Sequence, residues 1–214
     1  MSKVNVGCGM TPTLGWLNYD NSWSVRLASY PTVSLLLEKI RLIGPTQSAF
    51  IKFVKENQIL YADASRHIPL PDNSVDILYC SHMLEHLTKE DRESFLCEVV
   101  RVLRKDGIFR VSVPDLKRFV TEYLTNGDAD IFCRKLLMND EMPKTILGRV
   151  RRIVVGDRHH QWNYDGKSLT RLLEQYGFYN CTVLEAGVTT VADPGSLDLY
   201  ERMHESLYVE ARKI

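Results

Sequence analysis

Apolar residues along the chain follow two patterns: short continuous runs, typical of buried strands, and longer stretches with helical spacing. The run at 75–80 is the clearest short one, because its nearly continuous apolar character is typical of a parallel strand buried on both faces. Such runs predict seven strands, at residues 3–6, 16–19, 59–61, 75–80, 108–113, 182–185 and 206–211. Helical spacing predicts helices within 23–57 and at 89–103, 115–125, 129–156 and 165–176.

Strands and helices alternate over most of the chain, an order that favours a parallel sheet. The last two strands have no obvious helix between them, which indicates an antiparallel hairpin at one edge. We therefore predict an α/β protein with a Rossmann-like, mostly parallel seven-stranded sheet, helices on both faces and this edge hairpin. We interpret residues 1–214 as one domain with helical insertions at about 21–57 and 115–158.

Turn-forming residues mark three of the predicted helix boundaries. Gly44-Pro45 is expected to separate two helices inside 23–57. Lys105-Asp106-Gly107 is expected to close the helix at 89–103 as a C-cap, and Gly177 to close the last helix in the same way.

The composition is that of one folded domain and excludes some partners. With 27 basic and 27 acidic residues the formal net charge is zero, which disfavours a protein that wraps DNA. The number of cysteines is odd and no pair has metal-ligand spacing, so we expect reduced, buried thiols and no metal site. We find no leader-like apolar segment and none of membrane-spanning length, and we expect a cytoplasmic protein.

The first candidate site is the glycine turn Gly7-Cys8-Gly9, directly after the first strand. Glycine lets the backbone approach a ligand closely, and ligands of open α/β sheets bind at the carboxyl ends of strands. Asp20 ends the second strand, where a carboxylate can accept hydrogen bonds from both hydroxyls of a ribose. A nicotinamide-binding fingerprint is disfavoured, because Pro12 stands where it needs a third glycine or alanine and Asp20 follows too soon.

Several blocks of sequence, in the order in which they occur along the chain, resemble motifs of the class I S-adenosylmethionine-dependent methyltransferases. The resemblance is to a type 11-like subfamily with a shortened first motif. Residues 4–9 and 15–20 resemble that first motif, and 62–64 with 68–76 resemble its second block. The segment Ser81-His82-Met83-Leu84-Glu85-His86-Leu87 is similar to the one after the family's fourth strand. Residues 101–107 and 169–178 match its lead-in to the fifth strand and its last helix.

The resemblance implies a role for each matching position. It places Gly7, Cys8 and Gly9 against the methionine part of the cofactor and Asp20 on the ribose hydroxyls. Asp63 would bind the adenine amino group, and Ala64 would line the adenine ring. Ser81 and His82 would lie near the transferable methyl group. Asp63 has an alternative role as a helix N-cap before Ser65 and Arg66. Glu85 and His86 are most simply residues at a helix start.

Catalysis would need little beyond alignment, because a methyl group on a sulfonium is already electrophilic. A hydroxyl acceptor would also benefit from a general base, and histidine suits neutral pH. The candidates are His82 on one side of the expected site and His159 or His160 on the other, with His160 preferred. The alternative is that this second loop only packs Trp162 and Tyr164 against the core.

The acceptor is less well defined. The segment 134–160 has a local charge of +4, which indicates either a solvated helix face or a contact with an anionic acceptor or anionic surface. The subfamily often accompanies surface-polysaccharide enzymes, which implies a small-molecule or sugar-linked acceptor. Two alternatives stay open: a non-catalytic S-adenosylmethionine-binding module, and an RNA methyltransferase, which the absence of an Asn/Asp-Pro-Pro-Tyr motif disfavours.

Overall fold

The computed structural model describes residues 1–40, 42–137 and 159–214. In these parts of the chain seven strands form one sheet, in the order β3-β2-β1-β4-β5-β7-β6. They are β1 (Lys3–Val6), β2 (Leu17–Asp20), β3 (Leu60–Tyr61), β4 (Val75–Ser81), β5 (Leu103–Pro114), β6 (Phe178–Leu184) and β7 (Ser206–Lys213).

Strand pairing confirms the predicted fold class. The five strands from β3 to β5 pair in parallel, and β7 is antiparallel to both β5 and β6. The edge strand β3 has only two residues. The other edge strand, β6, contains a register shift between Tyr179 and Thr182, where Asn180 takes a left-handed φ of 49°.

The described residues also form seven α-helices and one 3₁₀ turn. The helices are α1 (Trp23–Ala28), α2 (Pro31–Lys39), α3 (Pro45–Glu56), α4 (Lys89–Val102), α5 (Leu116–Asn126), α6 (Ala129–Lys135) and α7 (Gly166–Gln175), and the turn is Leu84–His86. Where the sequence predicted two helices in 23–57 there are three, because Pro31 starts a separate one. Residues 138–158 of the second predicted insertion lie outside the described residues. Within the described ranges, every helix is too short or too polar to cross a membrane.

The predicted C-cap at 105–107 is wrong. Helix α4 ends at Val102 and the chain passes directly into β5 at Leu103. The left-handed residue in this stretch is Asp106, with φ 61°. Glycine is needed at position 107 for a different reason: the backbone there packs closely against Arg104, and a Cβ would lie 2.8 Å from the carbonyl oxygen of Arg104. Gly177 does follow α7 in a left-handed conformation, as predicted.

The two faces of the central strands are covered by different kinds of structure. One face is packed by α4 and α7, whose Phe95, Leu96, Leu169 and Leu173 are buried in the same cluster as the strand residues Val4, Val6, Leu78, Cys80, Val111 and Val113. On the other face, Ile77 and Tyr79 pack against Val191 and Leu197, from the irregular segment 185–205, and against Trp16. An irregular cover therefore lies over the centre of the sheet where a helix could have been.

A buried ion pair attaches this cover to the sheet. Arg110 on β5 and Glu210 on β7 are directly paired in register, their side chains are 0% and 3% exposed, and their nitrogen and oxygen atoms lie 2.6 Å apart. Glu210 also accepts hydrogen bonds from the hydroxyls of Thr189 and Thr190, and Arg110 donates to the carbonyl of Val188. Burial raises the pKa of Glu210, but these hydrogen bonds and that from Arg110 outweigh it and hold the pKa below its usual value.

The ion pair leads to a prediction about stability. We expect Glu210→Ala to lower the free energy of unfolding by about 3–5 kcal/mol, because it leaves a buried guanidinium without its counter-charge. Adding Arg110→Met to the same chain removes the unpaired charge and should restore most of this loss. Urea unfolding followed by circular dichroism measures both free energies.

A matched control is Glu56→Ala, which breaks the exposed Lys52–Glu56 pair with its 3.8 Å separation and should cost less than about 0.5 kcal/mol. Because the pKa of Glu210 is lowered on folding, its stabilisation is present above the unfolded pKa and is lost as the pH falls through the folded one. The difference between wild type and Glu210→Ala should therefore narrow in acid. Equal losses in the single and double variants would contradict the ionic explanation.

Candidate active site

The candidate site lies where the strand order reverses direction. From β1 the chain continues to β2 on one side, whereas β4 leads to β5 on the other, so the loops that follow β1 and β4 diverge. Open α/β sheets bind ligands in the crevice at such a point, outside the carboxyl ends of the strands. The two loops here are residues 7–16 and 82–88.

Gly7 and Gly9 have different surroundings in the first loop. Gly7 has φ 68°, and a Cβ there would lie 2.6 Å from Sδ of Met83, in the loop after β4. Gly9 has φ 50° and nothing within 4 Å of a Cβ, so its backbone is open on that side. The predicted glycine turn therefore packs against the second loop at Gly7 and leaves room for a ligand at Gly9.

Two buried asparagines hold this loop in place. Asn5 donates from its side chain to the carbonyl of Thr11 and the hydroxyl of Thr13, at 3.2 and 3.1 Å. The Asn18 side chain accepts from the amide of Thr13 at 2.8 Å and donates to the carbonyls of Thr13 and Trp16. The sequence analysis missed both residues, although a polar amide inside each of two predicted strands was a visible signal.

Asp20 lies beside the glycine turn, as predicted. Its Oδ2 accepts from the amide of Gly9 at 3.0 Å, and its Oδ1 accepts from the amide of Ser22 at 2.8 Å. The residue is 9% exposed. Since each carboxylate oxygen can accept more than one hydrogen bond, Asp20 keeps acceptor capacity while the two amides fix its orientation.

The residues after β3 are held by a local turn. Oδ1 of Asp63 accepts from the amide of Ser65 at 3.2 Å and from its hydroxyl at 2.7 Å, while Oδ2 lies 3.4 Å from Nε of Arg66. No α-helix starts here in the described part of the chain, so Asp63 caps a turn rather than the helix of the alternative interpretation. Ala64 is buried beside it.

The cysteines differ in their surroundings. Cys8 and Cys80 are buried, Cys133 and Cys181 are partly buried, and Cys97 is exposed, which corrects the expectation that all five are buried. Burial, with the charge of Asp20, raises the pKa of Cys8 to about 12. The Cys8 thiol is therefore neutral at physiological pH and contributes to the loop by packing.

His82 has an unusual backbone conformation at the carboxyl end of β4. Its φ of 47° is left-handed, and its amide donates to the carbonyl of Ser112 at 2.9 Å. Its Nε2 lies 2.8 Å from Oγ of Ser206 on β7. Left-handed non-glycine residues of this kind concentrate at functional sites. The preceding residue, Ser81, has a buried hydroxyl with no hydrogen-bond partner among the described residues.

Glu85 is the most unusual side chain of the site. It is 1% exposed, and neither of its carboxylate oxygens has a hydrogen-bond partner in the described parts of the chain. Nδ1 of His82 lies 3.4 Å from Oε1 and Nε2 of His86 lies 4.0 Å from it. Glu85, His86 and His160 bring one ligand atom each within 4.8 Å of one another. We call His82, Glu85, His86 and His160 the histidine–glutamate cluster.

This cluster corrects two sequence interpretations. Glu85 and His86 belong to a separate 3₁₀ turn, whereas α4 begins at Lys89 with Thr88 as its N-cap. The two proposed bases, His82 and His160, do not face each other across the site, because both lie close to Glu85.

The loop before α7 closes the cluster from the other side. The amides of Gln161 and Trp162 donate to the carbonyl of Glu85, at 2.7 and 3.2 Å. Tyr164 is buried in the core, but Trp162 is 56% exposed, so the loop does more than pack its aromatic residues. Burial lowers the pKa of His160, only partly opposed by the charge of Glu85.

The contact between the two loops generates a second prediction. Gly7→Ala should destabilise the protein by more than the roughly 1–2 kcal/mol of a left-handed residue, because its Cβ also overlaps Met83. Gly9→Ala is the matched control and should show the conformational cost alone. Chemical unfolding measures both, and adding Met83→Ala should recover only the extra loss in Gly7→Ala. Equal costs at the two glycines would contradict the packing.

Comparisons with known proteins agree with this geometry. A methyltransferase domain model of the type 11 family matches residues 4–111. A Mycolicibacterium smegmatis protein named as a probable S-adenosylmethionine-dependent methyltransferase is 46% identical over 48 residues, which cover 22% of this chain and 18% of that protein. The match therefore spans less than a fifth of the relative's length.

Two solved structures show the same fold at low identity. A SAM-dependent methyltransferase from Thermotoga maritima, described as a possible histamine N-methyltransferase, has a TM-score of 0.55 and 14% identity. One from Methanosarcina mazei has a TM-score of 0.50 and 18% identity. Each alignment covers 100% of this chain, with 82% and 92% of the other chain. Since the family model spans half of the sequence and the fold agrees with it, the chain belongs to the S-adenosylmethionine-dependent class I methyltransferases.

Proposed function

We propose that this protein transfers the methyl group of S-adenosylmethionine to a hydroxyl of a small-molecule or sugar-linked acceptor. The observation that carries the proposal is the position of the histidine–glutamate cluster. Met83, which packs on Gly7, is only two residues before Glu85, so the cluster adjoins the glycine turn. A cofactor site and a set of polar acceptor-binding groups are thereby neighbours.

The cofactor half of the proposal rests on the glycine turn and Asp20. The open backbone at Gly9 leaves room for the methionine part of the cofactor along Gly7, Cys8 and Gly9. Asp20 retains acceptor capacity for the ribose hydroxyls. The cofactor supplies an electrophilic methyl group, and the protein's part is to bind, orient and exclude water.

The adenine and methyl ends are assigned to residues with fewer distinguishing contacts. Oδ2 of Asp63 pairs with Arg66 but is not used by the Ser65 turn, and it would accept in addition from the adenine amino group, with Ala64 against the ring. The unpartnered hydroxyl of Ser81 would face the transferable methyl, at the end of β4.

The acceptor half rests on the imidazoles. A hydroxyl acceptor donates hydrogen bonds to unprotonated ring nitrogens, and His82 and His160 would orient it. An anionic acceptor or surface would contact the basic segment 134–160, of which only 134–137 and 159–160 are described. In the described part, Lys135 pairs with Glu122 at 2.5 Å. The anionic character of the acceptor therefore rests on the sequence alone.

Cofactor binding gives a third prediction. Asp20→Asn keeps the shape of the side chain but replaces a charge-assisted acceptor, so S-adenosylhomocysteine should bind about tenfold to a hundredfold more weakly. Titration calorimetry measures the affinity. Asp193→Asn is the control, because Asp193 is exposed and lies at the opposite end of β1, against Lys3. Unchanged affinity in Asp20→Asn, or tighter binding of NAD than of S-adenosylhomocysteine by wild type, would contradict the assignment.

A fourth prediction tests the transfer itself. We expect methyl-labelled cofactor to pass its label to hydroxylated small molecules or saccharides, and the product to survive mild alkali because an ether, unlike a methyl ester, is not saponified. Scintillation counting of separated cell-extract fractions measures this. Label that enters RNA would favour the RNA methyltransferase alternative, and cofactor binding without any transfer would favour a non-catalytic module.

A further inference from the structure

The tautomers of the three imidazoles can be read from their outer hydrogen bonds. His86 uses Nδ1 to donate to the carbonyl of His159, at 3.1 Å, so in the neutral ring Nε2 carries the lone pair. His160 uses Nδ1 to donate to Oδ1 of Asn163, at 3.3 Å, which likewise leaves its Nε2 bare.

His82 follows the same logic through a serine. The hydroxyl of Ser206 donates its single proton to the carbonyl of Glu201, at 3.1 Å. Its oxygen must then accept from Nε2–H of His82, at 2.8 Å. In the neutral ring Nδ1 is therefore bare, and this is the atom that lies 3.4 Å from Oε1 of Glu85.

The cluster thus surrounds a buried carboxylate with imidazole nitrogens. Bare imidazole nitrogens adjoin a carboxylate that is 1% exposed and has no hydrogen-bond donor among the described residues. A buried carboxylate without a hydrogen-bond donor is unfavourable, and a cation bound among these side chains would compensate its charge. The outer hydrogen bonds that fix each ring are those that orient metal-binding histidines.

We propose that Glu85, His86 and His160 bind a divalent transition-metal ion of the Zn²⁺ class, with His82 beside the carboxylate but outside the ligand set. Two histidines and one glutamate form a known ligand set for zinc, with a further position open to an exogenous oxygen. Imidazole-rich sites favour Zn²⁺ over Mg²⁺, which prefers oxygen ligands.

Binding such an ion would draw the three side chains closer together. Ligand atoms at 2.0–2.2 Å around a tetrahedral ion lie about 3.3 Å apart. The His86–Glu85 separation is 4.0 Å and the three ligand atoms lie within 4.8 Å of one another, so small side-chain movements would bring them into coordination. In a role that rests on the proposed function, the ion would bind the acceptor hydroxyl at its open position, and this contact would replace a direct hydrogen bond from that hydroxyl to His160. The expectation from the sequence that no metal is bound considered only cysteine spacing, and the proposal replaces it.

The test measures metal binding separately from activity. Chelator-treated protein should take up one Zn²⁺ or Co²⁺ per chain, seen by elemental analysis and by the visible absorption of tetrahedral Co²⁺. Glu85→Gln and His160→Ala should bind Zn²⁺ about a hundredfold or more weakly. Asn163→Ala, which only frees the ring of His160, should weaken binding about tenfold to a hundredfold. His204→Ala is the control, because His204 is exposed and outside the cluster.

Folding and cofactor binding are checked in the same samples. Zn²⁺ should raise the melting temperature of wild type and of His204→Ala but not of Glu85→Gln, whereas S-adenosylhomocysteine should stabilise all three. Wild type that takes up neither Zn²⁺ nor Co²⁺, or equal uptake by wild type and Glu85→Gln, overturns the metal site and leaves the proposed methyl transfer standing. Loss of stabilisation by S-adenosylhomocysteine in wild type would instead overturn the cofactor assignment.

Discussion

The connection between β1 and β2 contains only residues 7–16, and this length determines how the sheet is covered. Parallel strands are usually joined by a dozen or more residues that include a helix, which then packs on the sheet. Here Trp16 and the segment 185–205 fill that place. An irregular segment cannot satisfy its backbone or hold its position as a helix does, so the buried pair of Arg110 and Glu210 fastens it to β5 and β7.

The same short connection brings the site together. Because the loop turns back at once, Gly7 packs against Met83 and Asp20 reaches the amide of Gly9. The turn after Met83 then places Glu85 where the loop before α7 can bond to its carbonyl. Three segments far apart in sequence therefore meet at the carboxyl ends of β1, β2 and β4.

Much of this could be predicted from the sequence, for identifiable physical reasons. The mostly parallel sheet follows from the alternation of strands and helices, and Gly7, Gly9 and Asp20 stand out because they lie at or just after the ends of strands. The histidine–glutamate cluster could not be predicted in the same way. A glutamate near a helix start is ordinarily explained by the helix dipole, and only the tertiary structure shows that Glu85 is buried beside three imidazoles. The cap predicted at Gly107 failed similarly, because what requires glycine there is the nearby carbonyl of Arg104.

The two ends of the sheet have a consequence for how this protein associates with others. An exposed, regular edge strand is a template on which a second chain can add its own strand and aggregate. Within the described residues one edge, β3, offers only two residues, and the other, β6, is interrupted at Asn180 by a bulge that breaks its ladder. Both features disfavour a continuous intermolecular sheet at these edges, which favours side-chain surfaces over backbone pairing in any association.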